Sequence, residues 1–158
     1  MMKRHAFPIL IILLHFNLPS FARIGETPQE CIARYGKPIN VLKHEKSMQF
    51  KKAGFLVLIQ FKNNIAEGIV YQREGRQVED TGVYAIGSIS EFELMKFLKA
   101  NGGDREWKEV GADYKWTAWR TSDDQLFARY ETENMTLCIN KLDQAKESKI
   151  GDKNEPDF

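Results

Sequence analysis

The chain is poor in the residues that build most active sites and metal centres. Its 158 residues include two cysteines and three histidines. Two of the histidines, His5 and His15, lie inside an apolar N-terminal stretch, so His44 is the histidine that remains for the rest of the protein. This scarcity excludes a histidine-rich metal site, and we expect no metal and no cofactor. His44 itself lies among charged residues and is expected to be a solvated loop residue.

Recognisable catalytic and nucleotide-binding motifs are absent as well. No serine lies in a Gly-x-Ser-x-Gly elbow, and no glycine-rich segment has the G-x-x-x-x-G-K pattern that cradles phosphates. Two acidic pairs, Glu91 with Glu93 and Asp123 with Asp124, could in principle serve glycoside hydrolysis. Helix capping explains the first pair and turn chemistry explains the second. We therefore predict a protein without enzymatic activity.

A charge excess of either sign is also lacking. The sequence carries 23 basic and 22 acidic residues, and without Lys3 and Arg4 the balance is 21 to 22. A near-neutral chain does not neutralise a polyanion, so nucleic acid is an unlikely partner class. A second long apolar run is missing too, so we expect no stable membrane insertion beyond the N-terminus.

The N-terminus has the pattern of a secretory signal peptide, residues 1–22. Lys3 and Arg4 form a basic region, an apolar core extends from Phe7 to Phe16, and Ser20-Phe21-Ala22 forms a small-x-small cleavage site. The apolar core has roughly ten residues, against the ~20 that span a bilayer. An uncleaved N-terminal anchor is the alternative. We expect an exported protein, periplasmic or extracellular, that begins near Arg23.

Cys31 and Cys138 are far apart in sequence and form the one candidate disulfide. In an oxidising compartment such a bridge would stabilise the fold by up to ~4.7 kcal/mol through loss of unfolded-state entropy. Two buried free thiols are the alternative, because sequence alone does not show the distance between the two Cα atoms. Cys31 lies too far beyond Ala22 to carry a lipid anchor.

The chain after Arg23 contains the same arrangement twice. Capping boxes at Thr27–Glu30 and Ser90–Glu93 each begin a helix, and Gly36-Lys37-Pro38 and Asn101-Gly102-Gly103 end them. The apolar faces are expected to consist of Cys31, Ile32 and Tyr35 in the first helix and of Leu94, Met95, Phe97 and Leu98 in the second.

Each predicted helix precedes three strand-like runs with tight turns between them. The fold class is therefore α+β, with two tandem helix-plus-three-strand antiparallel meander units whose strands can share one sheet. The first unit spans 23–73, a connector 74–88, the second unit 89–143 and a disordered tail 144–158. Short extended pieces at 40–43 and 106–110 can precede the meanders. The predicted strands are 47–52, 55–62, 65–73, 114–121, 125–133 and 135–142.

A family resemblance follows from the first helix. Gly25-Glu26-Thr27-Pro28-Gln29-Glu30 and Tyr35-Gly36-Lys37-Pro38, leading into a meander, resemble envelope proteins of the SmpA/OmlA type. The tandem pair of units resembles the beta-lactamase inhibitory protein architecture. That resemblance implies a sheet face that binds another protein.

Aromatic residues are concentrated in the second unit and supply the candidate binding residues. A strand from Tyr114 would direct Tyr114 and Trp116 to one face and Trp119 to the other. If helices cover one face of the sheet, part of this set is exposed and can anchor a partner. The alternative is that the rings fill the core. The candidate partner-binding residues are Tyr114, Trp116, Trp119 and Arg120.

These observations predict an exported, non-enzymatic binding or structural module of the cell envelope. Its expected partner is an envelope or secreted protein, bound through an exposed sheet face. Two alternatives stay open: an exported hydrolase that uses carboxylates or His44, and a small-ligand or glycan binder that uses the same aromatic face.

Overall fold

The computed structural model describes residues 23–44, 46–77 and 84–142. The predicted signal peptide and the predicted tail from residue 144 lie outside these ranges. The described part is an α+β structure with two helices, one large antiparallel sheet and one short two-stranded ribbon. The elements are α1 (Pro28–Tyr35), β1 (Asn40–Leu42), β2 (Ser47–Lys52), β3 (Phe55–Lys62), β4 (Ile65–Arg73), β5 (Arg76–Gln77), β6 (Tyr84–Ala85), α2 (Glu91–Gly102), β7 (Trp107–Ala112), β8 (Trp116–Thr121), β9 (Leu126–Glu131) and β10 (Thr136–Lys141).

Both helices begin at the predicted capping boxes. In α1 the Thr27 hydroxyl accepts a hydrogen bond from the Glu30 backbone N–H, and the Glu30 carboxylate accepts one from the Thr27 backbone N–H. Ser90 and Glu93 form the same reciprocal pair at α2. These bonds satisfy backbone donors that a helix N-terminus would otherwise leave unpaired.

The expected division into two helix-plus-three-strand units is wrong, because eight strands form one continuous antiparallel sheet, although the expectation that the strands can share a sheet is met. Its order is β1-β2-β3-β4-β10-β9-β8-β7, and all its pairings are antiparallel. The pieces left as short extensions are full members of the sheet, as edge strands β1 and β7. The halves meet where β4 pairs with β10, and Ile69 lies opposite Ile139 there.

The eight-stranded sheet has one apolar face, which we call the inner face. Alternate residues of each central strand point to it, since successive side chains of a strand face opposite sides. These residues are largely inaccessible to solvent and form one core that runs across the junction of the halves: Phe50, Val57, Ile59, Ile69, Tyr71, Ala128, Tyr130, Leu137 and Ile139.

Both helices pack on the inner face. Tyr35 of α1 contacts Phe50, with ring centroids 5.2 Å apart. Phe97 of α2 stacks on Tyr71 at 4.1 Å and meets the edge of the Phe55 ring at 5.1 Å. Helix α2 belongs to the second half of the chain, yet its central aromatic residue contacts first-half strands. The helix therefore ties the two halves together.

Two residues that were expected on the apolar faces of the helices are exposed. Ile32 is 39% exposed and Met95 is 52% exposed. The buried residues nearby are Pro28, Cys31 and Tyr35 in α1, and Leu94, Phe97, Leu98 and Asn101 in α2. In α1 the buried residues Pro28, Cys31 and Tyr35 are spaced i, i+3 and i+7, so they form one narrow stripe and Ile32 lies beside it.

The candidate disulfide is absent, and both cysteines are free thiols, as in the alternative left open by the sequence. Cys31 is fully buried in α1, within the core on the inner side of the sheet. Cys138 lies between Leu137 and Ile139 in β10, and because those neighbours are buried in the core, its side chain points to the opposite face. The sheet separates the two sulfur atoms, so a disulfide cannot form without unfolding.

Part of the predicted connector is ordered. Arg76–Gln77 and Tyr84–Ala85 pair as the antiparallel ribbon of β5 and β6. Arg73, at the end of β4, donates to the Ser88 carbonyl at 3.0 Å and forms an ion pair with Glu93. The start of α2 is therefore fixed to the end of the first meander.

Candidate functional site

The second face of the large sheet, which we call the outer face, is the candidate functional surface. In the described part of the chain, the core residues of both helices pack on the inner face only. The pairing register places outward residues of neighbouring strands opposite one another. One such row is Leu56, Gln72, Thr136, Glu131 and Trp116, and the next is Leu58, Val70, Cys138, Arg129 and Ala118.

Trp116 is the largest side chain of this face, and its neighbours fix its ring. The guanidinium of Arg129 lies over the ring, 4.9 Å from the centroid. Gly111 lies against the far end of the ring, and a Cβ atom at that position would approach Trp116 Cη2 to 2.9 Å. A side chain at position 111 would therefore displace the ring from the edge strand. The ring is half-buried, so one part stays available to a partner.

Arg129 is held from a second side as well. Its Nε atom lies 2.7 Å from Glu131 Oε1 on the same strand. An arginine that is stacked on tryptophan and paired with a carboxylate loses few rotamers on binding. Trp116, Arg129 and Glu131 thus form a preorganised cluster, which we call the Trp-Arg cluster.

Cations outnumber carboxylates at the outward strand positions of the second half, and each cation has a carboxylate within 4 Å. Among the outward positions of β7, β8 and β9, Lys108, Arg120 and Arg129 carry positive charge and Glu131 carries negative charge. Arg120 lies 3.6 Å from Asp124 in the adjoining turn, where that carboxylate is exposed. Phe127 lies opposite Arg120 and adds a half-buried ring.

The outer face of the first half is different. Its outward residues are aliphatic or neutral at the centre, with Leu56, Leu58 and Val70 half-buried side by side. Lys51 forms an ion pair with Glu74 at the margin. Aromatic rings are found outward on the second half only, within the residues that the structure describes.

The four candidate binding residues are divided among three environments. Trp116 and Arg120 lie on the outer face, opposite Glu131 and Phe127. Trp119 lies opposite Ala128, points inward and packs against the core. Tyr114 precedes β8 in the turn and is 84% exposed. The structure thus brings Trp116 and Arg120 to one surface with Arg129 and Phe127, and it separates Trp119 from them.

Arg129 was not identified as a binding residue from sequence. Its outward direction follows from the alternation Leu126, Ala128, Tyr130 in β9, all of which are buried. Its contact with Trp116 depends on the cross-strand register, which the sequence does not specify. The alternation of buried residues in β9 was therefore the one sequence signal that could have placed Arg129 on the outer face.

The candidate catalytic groups do not form a shared site. The carboxylates have structural roles, and His44 lies in a different part of the molecule. His44 is exposed in the turn after β1. Burial opposes ionisation of Glu93, but hydrogen bonds from Arg73 and Ser90 outweigh it and lower the pKa of Glu93. A hydrogen bond with Thr121 and the ion pair with Arg105 lower the pKa of Asp123. These carboxylates hold a helix N-terminus and a turn in place.

Neither cysteine is an activated nucleophile. Burial raises the pKa of Cys31 to about 12, and the nearby Glu26 carboxylate adds to the effect. Burial also raises the pKa of Cys138. Both thiols are therefore protonated at neutral pH, and a protonated thiol reacts slowly.

The described ranges lack two further features of functional sites. They contain no cluster of three or more histidine, cysteine or acidic side chains arranged to hold a metal ion. No helix there is long and apolar enough to cross a membrane.

Comparison with known proteins adds no family. No protein-family model matches the chain, and neither a curated protein nor a solved structure is significantly similar to it.

Proposed function

We propose that this protein is an exported, non-enzymatic binding module of the cell envelope, and that it binds another protein through the outer face of its second half. The observation that carries the proposal is the Trp-Arg cluster on a sheet face to which neither helix contributes core contacts. Tryptophan and arginine are the residue types most enriched among binding hot spots.

The chemistry of the surface specifies the partner. Three outward cations and one outward carboxylate on β7, β8 and β9 favour an acidic partner. The rings of Trp116 and Phe127 favour apolar side chains within the same contact. The expected partner is therefore a protein segment that combines carboxylates with apolar residues.

Preorganisation supports a binding role over a purely structural one. Trp116 has Arg129 over its ring and Gly111 against the end of it, and these contacts orient the ring before a partner binds. A ring fixed before binding spends less free energy on ordering during association. The proposal of export rests on the signal-peptide pattern at the N-terminus. The proposal of binding through a sheet face agrees with the resemblance to the beta-lactamase inhibitory protein architecture.

Site-specific crosslinking followed by affinity measurement tests the proposal. A photo-crosslinking amino acid replaces Phe127 in the protein expressed in its native host, and the crosslinked partner is identified by mass spectrometry. The purified partner is then titrated with the wild type and with Trp116→Ala. We expect the Kd to rise at least ~30-fold, which corresponds to a hot-spot loss of about 2 kcal/mol.

Leu58→Ala is the matched control, because Leu58 is an outward residue of the first half. We expect it to change the Kd less than threefold. Equal losses from Leu58→Ala and Trp116→Ala, or a crosslink to glycan in place of protein, would overturn the proposal.

A further inference from the structure

A second candidate site lies on the inner side of the sheet, where the two halves of the molecule meet. A cavity of about 160 Å³ opens there, lined by Ile24 and Gly25, the start of β4, the end of α2 and the adjoining ends of β9 and β10. None of its lining residues belongs to the Trp-Arg cluster on the outer face. Binding there is therefore separate from the proposed protein binding and does not depend on it.

The cavity opens where β4 exchanges one pairing partner for another. Strand β10 pairs with β4 as far as Asn140, which lies opposite Gly68. Two residues earlier in β4, Ala66 makes two backbone hydrogen bonds of 2.8 Å with residues 25 and 26. Gly25 has a φ of 97°, a conformation that favours glycine. Gly25 and Lys141 both line the cavity, so it lies between the two successive partners of β4.

The side chains that line the cavity share the inner face. Leu126 is buried in step with the other inward residues of β9, and Lys141 lies opposite it in β10. Lys141 also follows the buried Ile139 at the two-residue spacing of one strand face. Ala66 belongs to the core of the inner face, and Asn101 is on the buried side of α2. These groups can therefore contact one ligand.

A buried amide oxygen at this cavity lacks a partner. Asn101 is 4% exposed and lines the cavity. Its Nδ2 atom donates to the Tyr71 hydroxyl at 3.1 Å and to the Phe97 carbonyl at 2.9 Å, and neither of those residues lines the cavity. Both amide hydrogens are thus used toward the core, while Oδ1 has no hydrogen-bond partner within the described residues. Roughly nine in ten buried polar groups have a partner, so this oxygen points to a donor that is supplied from outside.

The exposed part of the lining is basic. Arg105 and Lys141 are both exposed, and no carboxylate is found among the described lining residues. Two hydrogen bonds hold the Arg105 guanidinium, one from Nε to Asp123 at 2.7 Å and one from Nη1 to the Gly102 carbonyl at 3.3 Å. A ligand in the cavity therefore meets a buried acceptor and exposed cations.

The remaining wall is apolar, and the space is small. Ile24, Ala66 and Leu126 supply aliphatic contacts. At ~30 Å³ for each water molecule in the liquid, the cavity volume of about 160 Å³ corresponds to about five waters. The cavity therefore suits a short-chain ligand in place of a drug-sized one.

We propose that this cavity binds a small hydroxy acid, whose hydroxyl donates to Asn101 Oδ1 and whose carboxylate lies against Arg105 and Lys141. The hydroxyl supplies the donor that the buried amide oxygen lacks. Guanidinium and ammonium groups form charge-assisted hydrogen bonds with a carboxylate. The short hydrocarbon chain between the two polar groups contacts Ala66 and Leu126.

Titrations followed by two-dimensional NMR test this assignment on protein recovered from expression of the full chain. The probes are 3-hydroxypropionate, propionate and 1,3-propanediol, which have the same carbon chain. We expect 3-hydroxypropionate to cause saturable shifts at the amides of 101–105 and 125–126. Propionate lacks the hydroxyl and 1,3-propanediol lacks the carboxylate, so each should bind at least ~5-fold more weakly.

Two variants test the named contacts. Asn101→Ala removes the acceptor that distinguishes the two acids, so their Kd values should fall within ~2-fold of each other. Lys141→Gln should weaken the binding of both acids up to ~5-fold and leave that of 1,3-propanediol unchanged. Lys96→Gln is the control, since Lys96 lies over Phe92 on α2, and it should have no effect.

Lys141→Gln keeps the test decisive if Asn101→Ala does not fold. Absence of saturable shifts with 3-hydroxypropionate would overturn the assignment, because water alone would then occupy the cavity. Equal binding of propionate and 3-hydroxypropionate to the wild type would remove the role of Asn101 and overturn it as well. Binding of 1,3-propanediol as tight as that of 3-hydroxypropionate would exclude an acid as the ligand class.

Discussion

The two halves of the molecule share one backbone plan and differ in what they place on it. Each half has a capped helix followed by a four-stranded meander, and the halves meet at β4 and β10. The first half has an aliphatic outer face. The second half has an outer face of aromatic rings and arginines.

The two halves also contribute different side chains to the inner face. The first half contributes Phe50, Phe55 and Tyr71 to the core, whereas β9 contributes Ala128 and Tyr130. Helix α2 follows this asymmetry, since its Phe97 contacts Phe55 and Tyr71. Repetition of a backbone plan thus does not imply equal roles, because side-chain size decides where each helix packs.

Phe97→Ala gives the sharpest test of this asymmetry and the largest expected effect. The Phe97 side chain is 1% exposed and contacts two first-half rings. We expect a loss of about 3–5 kcal/mol of unfolding free energy, measured by urea denaturation. Phe92→Ala on the same helix, at a residue that is 68% exposed, should stay within about 0.5 kcal/mol. Similar losses in both variants would contradict the packing described.

The two capping boxes allow a direct comparison of the halves. Glu93→Ala removes both a cap and the ion pair with Arg73, so we expect it to cost about 1–2 kcal/mol. Glu30→Ala removes a cap at an exposed site and should cost less. Chemical denaturation at pH 7 measures both, and a larger loss for Glu30→Ala would reverse the comparison.

The same carboxylate predicts a pH dependence. The pKa of Glu93 in the folded protein lies below its usual value of 4.5. Its contribution is therefore present above pH 4.5 and is lost as the pH falls through the lower, folded-state pKa. Wild type and Glu93→Gln should consequently converge in stability in acid. A constant difference down to pH 2 would disprove the linkage.

Gly111→Ala tests the orientation of Trp116 without removing the ring. The added methyl group displaces the ring, so we expect weaker partner binding than in the wild type and a stability loss of about 1 kcal/mol. The double variant Gly111→Ala/Trp116→Ala should bind no more weakly than Trp116→Ala alone. Additive losses in partner affinity would show that Gly111 acts by another route.

Reduction is expected to have the smallest effect on stability. Cys31 and Cys138 belong to different halves and lie on opposite sides of the sheet, so there is no disulfide to reduce. Reducing agent should leave the melting temperature unchanged. Alkylation in denaturant without prior reduction should add two labels per chain, measured by intact mass. A chain that accepts no label would reveal a disulfide and contradict the separation of Cys31 and Cys138.

Local signals were sufficient to predict most of the elements. The capping boxes gave the helix starts, and β2, β3 and β4 have the predicted limits because alternation and tight turns bound them. Edge strands β1 and β7 lie close to the extended pieces predicted at 40–43 and 106–110, but the prediction did not count them as members of the meanders. The β4–β10 pairing could not be predicted, because cross-strand register between distant segments has no local signature.

The candidate site was predicted only in part. The aromatic content of β8 indicated Trp116, and alternation separated it from Trp119. Arg129 and Gly111 remained unnoticed, because their role depends on contact with Trp116 across two strand pairings.

The sequence by itself determined the helix starts, the strand alternation, the turns and the α+β class, because each depends on residues close together in the chain. The tertiary structure alone decided that the strands form one sheet, that Cys31 and Cys138 lie on opposite sides of it and that Trp116, Arg129 and Gly111 meet. These outcomes depend on the pairing of distant strands, and pairing is set by the packing of the whole core.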